Sequence, residues 1–194
     1  MKYQKFKTEL ETKFFTIEKA ESEFFEREPY YRLTGPNSVI CCVLDRDGYF
    51  VLIKQYRPNL ESMTIEMPAG GIDPTEDPAK AAHREIREEV GLSCQLLKLG
   101  KNFSLMMNRT NIQDHLFLGM FPEPSQHFKN EPNTEVIRMS RHELLKCALN
   151  GNYVQLAGLG IINLASVVLK LDIWNAPINQ IEKSFKENIS VNLF

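Results

Sequence analysis

The order of apolar segments predicts an α/β fold, more strictly α+β, in which a mixed sheet carries helices on both faces. Short apolar runs bounded by turn residues recur along the chain, as is typical of strands. One helical segment is amphipathic and another, over 157–171, is almost wholly apolar, so both are expected to pack against the sheet. Helices on the two faces of one sheet make an αβα sandwich.

Length and composition suit one compact domain with a short extension. The chain has 194 residues, of which 43% are hydrophobic, and a net charge of −2. This supplies enough apolar material for one core. We expect a domain over 36–194 and a small strand extension over 1–35. A near-neutral charge without a basic stripe argues against nucleic acid as a partner.

The same composition argues against a membrane or secreted protein. No apolar run reaches the roughly 18–20 residues that span a bilayer. The first fifteen residues, MKYQKFKTELETKFF, lack the apolar core of a signal peptide. The four cysteines show no CxxC spacing, which favours buried reduced thiols. The sequence therefore predicts a soluble, cytoplasmic protein without a membrane partner.

The predicted elements follow in chain order. Aromatic and charged residues alternate over 1–35, which indicates short strands or a hairpin. A DRDG turn joins two apolar strands over 38–44 and 49–55, and a short strand over 64–68 leads into a loop over 69–75. The later elements are strands over 94–99, 114–121 and 135–139, loops over 104–111 and 123–134, helices over 141–149 and 157–171, and a helix with a loosely held tail over 175–194.

The segment 70–92, GGIDPTEDPAKAAHREIREEVGL, carries the main functional signal. Asp77 and Pro78 are typical of an N-cap and a first helical position, and Gly91 is typical of a helix end with positive φ. Apolar residues at helical spacing form one face of this helix. The glycines before it allow the backbone to approach a ligand closely.

Glu85, Glu88 and Glu89 fall together on a neighbouring face of the helix, because each residue advances by about 100°. Like charges at these spacings weaken a helix slightly. A divalent cation would reverse that effect, since hard ions prefer carboxylate oxygens. The alternative is a solvated acidic helix with ordinary ion pairs. The three glutamates are therefore candidates for a metal site.

The spacing of this segment resembles the Nudix box, G-x5-E-x7-R-E-U-x-E-E-x-G-U, in which U is aliphatic. The matching residues are Gly70, Glu76, Arg84, Glu85, Ile86, Glu88, Glu89, Gly91 and Leu92. A gapped pattern of this length is far more specific than a lone acidic run. The resemblance implies an αβα sandwich and metal-dependent hydrolysis.

Segments outside the box resemble the ADP-ribose pyrophosphatase branch of that family. They are VLIKQYRP over 51–58 and EMPAGGID over 66–73, and the likeness covers roughly 38–121. The resemblance implies hydrolysis of a nucleoside diphosphate sugar at its pyrophosphate bond, with Mg²⁺ as cofactor and Mn²⁺ as a substitute. ADP-ribose, giving AMP and ribose 5-phosphate, is the first substrate, and GDP-mannose or another nucleotide sugar is the alternative. The branch also implies a homodimer built on 1–35, with an aromatic side chain there stacked on the base.

The resemblance assigns roles to individual residues. Glu85 and Glu89 would be the principal metal ligands, with Glu88 as a further ligand or positioning group. The backbone carbonyl of Ala69 would add an oxygen. Arg84 would orient the carboxylates rather than touch the substrate.

Four further residues complete the predicted site. Glu76 would belong to the orienting network or reach the metal through water. Arg57 would bind substrate phosphate, because a guanidinium offers two parallel donors, with a surface ion pair as the alternative. Arg109 would be a second phosphate or ribose contact, with a loop ion pair as the alternative. Glu131 would be the general base, and Glu135 is expected to begin the next strand.

Two other functions compete with this prediction. A Nudix-fold module that senses a nucleotide without hydrolysis normally loses box carboxylates, and none is lost here. An RNA-decapping enzyme needs a basic surface that the composition does not supply. One segment departs from the branch, since MMNRTNI over 106–112 stands where many members carry a proline-glycine turn.

Overall fold

The computed structural model describes residues 5–21, 29–126, 128 and 133–191. Within these ranges a large sheet, a small N-terminal sheet and several helices form the fold. The elements are β1 Lys7–Glu11, β2 Thr16–Ala20, β3 Tyr30–Thr34, β4 Ser38–Leu44, β5 Tyr49–Arg57, β6 Ser62–Glu66, β7 Ala69–Gly71, α1 Pro78–Val90, β8 Leu92–Lys98, β9 Asp114–Pro124, β10 Thr134–Ser140, α2 Arg141–Leu149, α3 Leu156–Leu169 and α4 Ile178–Val191.

The central sheet is mixed, as predicted. Its main path is β10-β5-β4-β9-β8, with β6 paired to β5 and β7 paired to β4. β4 runs parallel to β9 and antiparallel to β5 and β7. Both β4 and β9 are buried over most of their length, which is expected for strands covered on both faces.

Alternation along β4 fills two cores, one on each face of the sheet. Val39 and Cys41 belong to the apolar cluster under α1, whereas Ile40 and Cys42 belong to the cluster under α3 and α4. Successive strand residues point to opposite faces, so neighbouring thiols enter different cores. Both are free, and burial raises the pKa of each. The predicted αβα sandwich is confirmed.

The predicted ends of α1 are also confirmed. The Asp77 side chain accepts hydrogen bonds from the amides of Ala79, at 2.9 Å, and Lys80, at 3.3 Å. Pro78 occupies the first turn, where no amide donor is needed. Gly91 ends the helix with a φ of 69°, a conformation that glycine adopts without strain.

The two predicted helices of the C-terminal region are confirmed. α3 lies where an apolar core helix is expected, and its Ile161 and Ile162 are fully buried. In α4, Ile181 and Phe185 are fully buried on the same core, because residues four apart share one helix face. The predicted tail stays a prediction, because residues 192–194 lie outside the described residues. No helix in the described ranges is long and apolar enough to cross a membrane.

Residues of the 1–35 extension form a separate antiparallel sheet of β1, β2 and β3. Every residue of β1 is exposed. β3 attaches to the main domain, where the Leu33 amide donates to the Arg109 carbonyl at 2.7 Å and the Tyr30 hydroxyl donates to the Asn108 carbonyl. The predicted strands are confirmed, and a role for this segment in dimerisation stays a prediction.

Candidate active site

Gly70 is the point where strand β7 passes closest to α1. A Cβ at this position would overlap the carboxylate of Glu85, so glycine allows the strand and the helix to approach this closely. Glu85 is only 9% exposed as a result. Buried carboxylates need partners, because leaving water costs a charged group several kcal/mol. One partner of Glu85 is Arg84, the residue before it in the sequence.

The guanidinium of Arg84 ties the box carboxylates together. Its Nη1 donates to Glu85 Oε1 at 2.6 Å and to Glu88 Oε2 at 3.3 Å. Its Nε and Nη2 donate to the two oxygens of Glu76 at 3.1 and 2.9 Å, and Nη2 also reaches the Gly71 carbonyl at 2.8 Å. These bonds hold the pKa of Glu76 below its ordinary value. The geometry is that expected of an orienting residue, and the role itself remains a prediction.

Glu89 connects the same face of α1 to β7, the glycine strand Ala69–Gly71. Its Oε2 accepts a hydrogen bond from the Ala69 amide at 2.8 Å. Burial raises the pKa of the Cys41 thiol beneath the helix, and nearby negative charge, including that of Glu89 and Glu85, raises it further. Glu85 and Glu89 both lie against β7, Glu85 at Gly70 and Glu89 at Ala69.

The chemistry of this donor set fits a hard divalent cation, which prefers oxygen ligands. The three glutamates of α1 supply carboxylate oxygens, and Ala69 supplies a carbonyl on the adjoining strand. In the part of the chain that is described, no three acidic, histidine or cysteine side chains converge as a metal cluster. Arg84 bonds Glu85 and Glu88, and Glu89 bonds the Ala69 amide.

Arg57, the predicted phosphate contact, ends β5 in a two-bonded ion pair with Glu66. Its Nε and Nη2 donate to the two oxygens of Glu66 at 2.7 and 2.5 Å. Glu66 is 7% exposed and also accepts from Thr64 Oγ1 at 2.6 Å and Gln55 Nε2 at 3.3 Å. Hydrogen bonding to Glu66 raises the pKa of Arg57, and the charge of Glu89 raises it further. The guanidinium of Arg57 is thus bound to a buried carboxylate at the end of β5.

The remaining predicted residues lie apart from this cluster or outside the description. Arg109 is exposed beside the N-terminal sheet, with its guanidinium carbon 5.4 Å from the centre of the Tyr30 ring. Glu131 lies outside the described residues. Glu135 is an exposed strand residue of β10, in register with Lys54 of β5.

Sequence reasoning missed Glu66, although it lies within the quoted segment EMPAGGID. Thr64 and Glu66 are buried and alternate with the more exposed Met63 and Ile65 along β6. The available signal was an acidic residue at an inward-facing strand position just before the glycines. Such a buried charge needs a partner. The Gln155 side chain accepts a hydrogen bond from the Met67 amide at 2.9 Å, and no local sequence pattern predicts this contact.

Comparison with known proteins connects this geometry to a family. The model of the NUDIX domain matches residues 35–156, well over half of the chain, and the match includes the whole box. The chain belongs to the Nudix family. The predicted class of enzyme, a Nudix pyrophosphohydrolase, is confirmed at this level, and Nudix hydrolases generally use a divalent metal.

Two curated Nudix relatives act on adenosine diphosphate compounds according to their names. The ADP compounds hydrolase NudE of Escherichia coli is 31% identical over 135 residues, which are 64% of this chain and 70% of that protein. The ADP-ribose pyrophosphatase of Bacillus subtilis is 26% identical over 114 residues, 57% of this chain and 62% of that protein. Other matches are shorter, and one to the methanol dehydrogenase activator of Bacillus methanolicus spans 34% of its length.

A solved structure confirms the fold of this Nudix protein. The crystal structure of an ADP compounds hydrolase superimposes with a TM-score of 0.72 at 22% sequence identity. The superposition covers 87% of this chain and 94% of the other. It therefore includes most of the central sheet and its helices.

Proposed function

We propose that this Nudix protein hydrolyses the pyrophosphate bond of a nucleoside diphosphate sugar in a reaction that needs a divalent metal. ADP-ribose is the first substrate, with AMP and ribose 5-phosphate as products. The observation that carries the proposal is the box network itself, in which Arg84 holds Glu76, Glu85 and Glu88 beside Gly70 of β7. The named activities of the two relatives support the substrate class. GDP-mannose or another nucleotide sugar is the alternative.

Mg²⁺ is the proposed cofactor, with Mn²⁺ as a substitute. Glu85 and Glu89 would hold it, with Glu88 and the Ala69 carbonyl as further oxygens. When bound, such a cation screens the charge of the pyrophosphate and makes a water more acidic. Arg84 keeps the carboxylates oriented until a cation competes for them.

Arg57 would bind a phosphate oxygen of the substrate, and Glu131 would remove a proton from the attacking water. A separate base is needed because a carboxylate neutralised by a cation is a poor proton acceptor. General bases contribute about 10²–10⁴-fold. We therefore expect Glu131→Gln to lower kcat by that order without weakening substrate affinity. Glu135→Gln is the matched control, and a loss confined to it would move the role to Glu135.

We propose that the protein is cytoplasmic and forms a homodimer through its N-terminal sheet. The free cysteines support a reducing compartment. In the N-terminal sheet and its turn, Phe14 is 74% exposed and Tyr31 is 42% exposed. Exposed aromatic side chains are typical anchors of protein interfaces.

A phosphatase-coupled assay tests the activity. AMP and ribose 5-phosphate are phosphomonoesters, whereas the intact substrate is not, so added alkaline phosphatase releases inorganic phosphate only after cleavage. ADP-ribose is expected to give the highest kcat/KM in a panel that includes GDP-mannose and ADP-glucose. Chelation by EDTA should abolish turnover. Tight ADP-ribose binding without any hydrolysis would favour the sensing module instead.

A further inference from the structure

We propose that Glu66 is a positioning residue that holds the guanidinium of Arg57 in the orientation required to bind the pyrophosphate. The inference rests on the proposed function, because it concerns the substrate contact of the same site. Glu66 does not need to touch the substrate, since it would act entirely through Arg57.

The first argument is the rigidity of the carboxylate. Glu66 accepts two hydrogen bonds from Arg57, one from Thr64 and one from Gln55. Its side chain is 10% exposed, whereas that of Arg57 is 42% exposed. Because Thr64 and Gln55 also bond this carboxylate, it cannot shift together with a mobile guanidinium. The two parallel bonds therefore fix the plane of the guanidinium as well as its position.

The second argument is which edge of Arg57 remains open. Among the described residues, the contacts found for Arg57 use Nε and Nη2. The N–H bonds of Nη1 are therefore available to a ligand. The Arg57 partner Glu66 lies three residues before Ala69, whose amide donates to Glu89 Oε2 at 2.8 Å, so one short segment links the ion pair to the box helix. We therefore expect a phosphate bound at the box carboxylates to meet that open edge.

The third argument is the backbone that carries the pair. Arg57 and Glu66 lie on the paired strands β5 and β6, in which Arg57 is in register with Ser62 and Glu66 with Ile53. Glu66 is followed within three residues by Ala69 of the glycine strand. One segment, 62–71, therefore carries both Glu66, the partner of Arg57, and Gly70, which lies against Glu85, and sites built on strands hold their geometry well.

Positioning and simple electrostatics predict opposite effects when the charge of Glu66 is removed. Glu66 neutralises Arg57, so on charge alone Glu66→Gln would strengthen the attraction between Arg57 and a phosphate. If Glu66 positions Arg57, the substitution frees a long side chain that must be ordered again on binding. Small displacements of a substrate contact cost up to about 10²-fold. The direction of the change therefore separates the two roles.

Steady-state kinetics of the full chain with ADP-ribose and Mg²⁺ give the main test. We expect Glu66→Gln to raise KM roughly tenfold and to change kcat less than about threefold, within the range expected for a displaced contact. In the Arg57→Ala background, Glu66→Gln should cause no further change, because the residue through which it acts is absent. An equal rise of KM in both backgrounds, or a fall of KM in Glu66→Gln, would overturn the proposal.

A matched control uses another acid that is paired with an arginine on the same sheet. Arg138 Nε donates to Asp45 Oδ2 at 2.6 Å, and the Asp45 side chain is 12% exposed, close to the 10% of Glu66. Asp45 follows the end of β4 that is remote from Gly70. Asp45→Asn should leave the KM for ADP-ribose unchanged. A similar rise there would show a general effect on the sheet.

Two further measurements keep the result separate from folding and from the proposed function. The ¹⁵N-¹H signal of Arg57 Nε should exchange slowly with water in the free protein and rapidly in Glu66→Gln, whether or not ADP-ribose is cleaved. An unchanged exchange rate would contradict the proposal. If Glu66→Gln does not fold, Thr64→Val removes one donor from the carboxylate and should raise KM in the same direction by a smaller factor. Failure of wild-type hydrolysis would instead contradict the proposed function.

Discussion

The box region of β7 and α1 differs from the N-terminal sheet in how its polar and aromatic side chains are held. In the box region, one guanidinium bonds Glu76, Glu85 and Glu88, and Glu89 bonds the strand opposite. In the N-terminal sheet, every residue of β1 is exposed, and Phe14 in the turn after it is 74% exposed. The polar side chains of the box region bond to one another and to β7. In contrast, β1 and the turn after it expose their side chains to solvent.

The difference shows what a chemical site needs from its surroundings. Box side chains come from one helix and the strand before it, so their geometry is set by spacing along a short piece of chain. The N-terminal sheet has its own hydrogen bonds but gains little burial from the domain. Its exposed aromatic residues are accessible to another molecule, and the proposed dimer would cover them.

The largest effect is expected from Glu89→Gln in the box region. The change keeps the shape of the side chain and removes the charge proposed to hold the cation. Turnover should fall by at least about 10²-fold if a metal ligand is lost. Glu187→Gln on the exposed side of α4 is the control. Hydrolysis near the wild-type rate in Glu89→Gln would show that the acidic face of α1 is only a solvated surface.

A smaller loss is expected from Gly70→Ala. The added Cβ would overlap the Glu85 carboxylate, so either the strand or the carboxylate must move. Misplacement on this scale should lower kcat about tenfold or more. Gly160→Ala is the matched control, because a Cβ there meets no atom within 4 Å and the residue lies inside α3. It should leave kcat unchanged and stabilise the helix by roughly 0.5–1 kcal/mol. Full activity in Gly70→Ala would contradict a fixed carboxylate.

The spacing of residues along the chain explains which structural features could be predicted from the sequence. It predicted both caps of α1, the shared face of its glutamates and the hairpin of β4 and β5, since each depends on residues close in the chain. It did not predict the pairing of Arg57 with Glu66, which depends on the register of β5 against β6. It also placed a loop where β7 forms, because three residues carry too little periodicity to indicate a strand.

The N-terminal sheet gives the third prediction, which concerns assembly rather than catalysis. Light scattering should give a mass twice the 22.4 kDa of the chain at micromolar concentration. Phe14→Asp combined with Tyr31→Asp should shift the protein to monomer, because buried charges oppose association. Val167→Asp, at an apolar position of α3 that is 73% exposed, is the control. A monomeric wild-type protein would remove this sheet from any role in dimerisation.

The smallest predicted effect is a loss of stability at low pH, which should arise in the main domain and not in the N-terminal sheet. His115 on β9 is 7% exposed, and its Nδ1 has no hydrogen-bond partner among the described residues. Burial lowers its pKa, and Lys98 lowers it further, against the opposing charges of Asp114 and Asp77. The folded-state pKa is therefore below the unfolded value of about 6.5. Between those two values the unfolded chain binds more protons, so stability is complete above about pH 6.5 and falls as the pH is lowered.

Urea unfolding of the full chain between pH 7.5 and 5.5 checks this sign, because ordinary carboxylates stay ionised across that window. The midpoint should fall with pH in the wild type and fall less in His115→Gln, which has no proton to bind. His142→Gln, at an exposed position of α2, should retain the wild-type slope. Amide exchange should locate the loss in β9 and its neighbours rather than in β1 to β3, since the described residues of the N-terminal sheet include no histidine. An equal slope in His115→Gln and wild type would show that the pKa of His115 is the same in the folded and unfolded states, which would contradict the prediction.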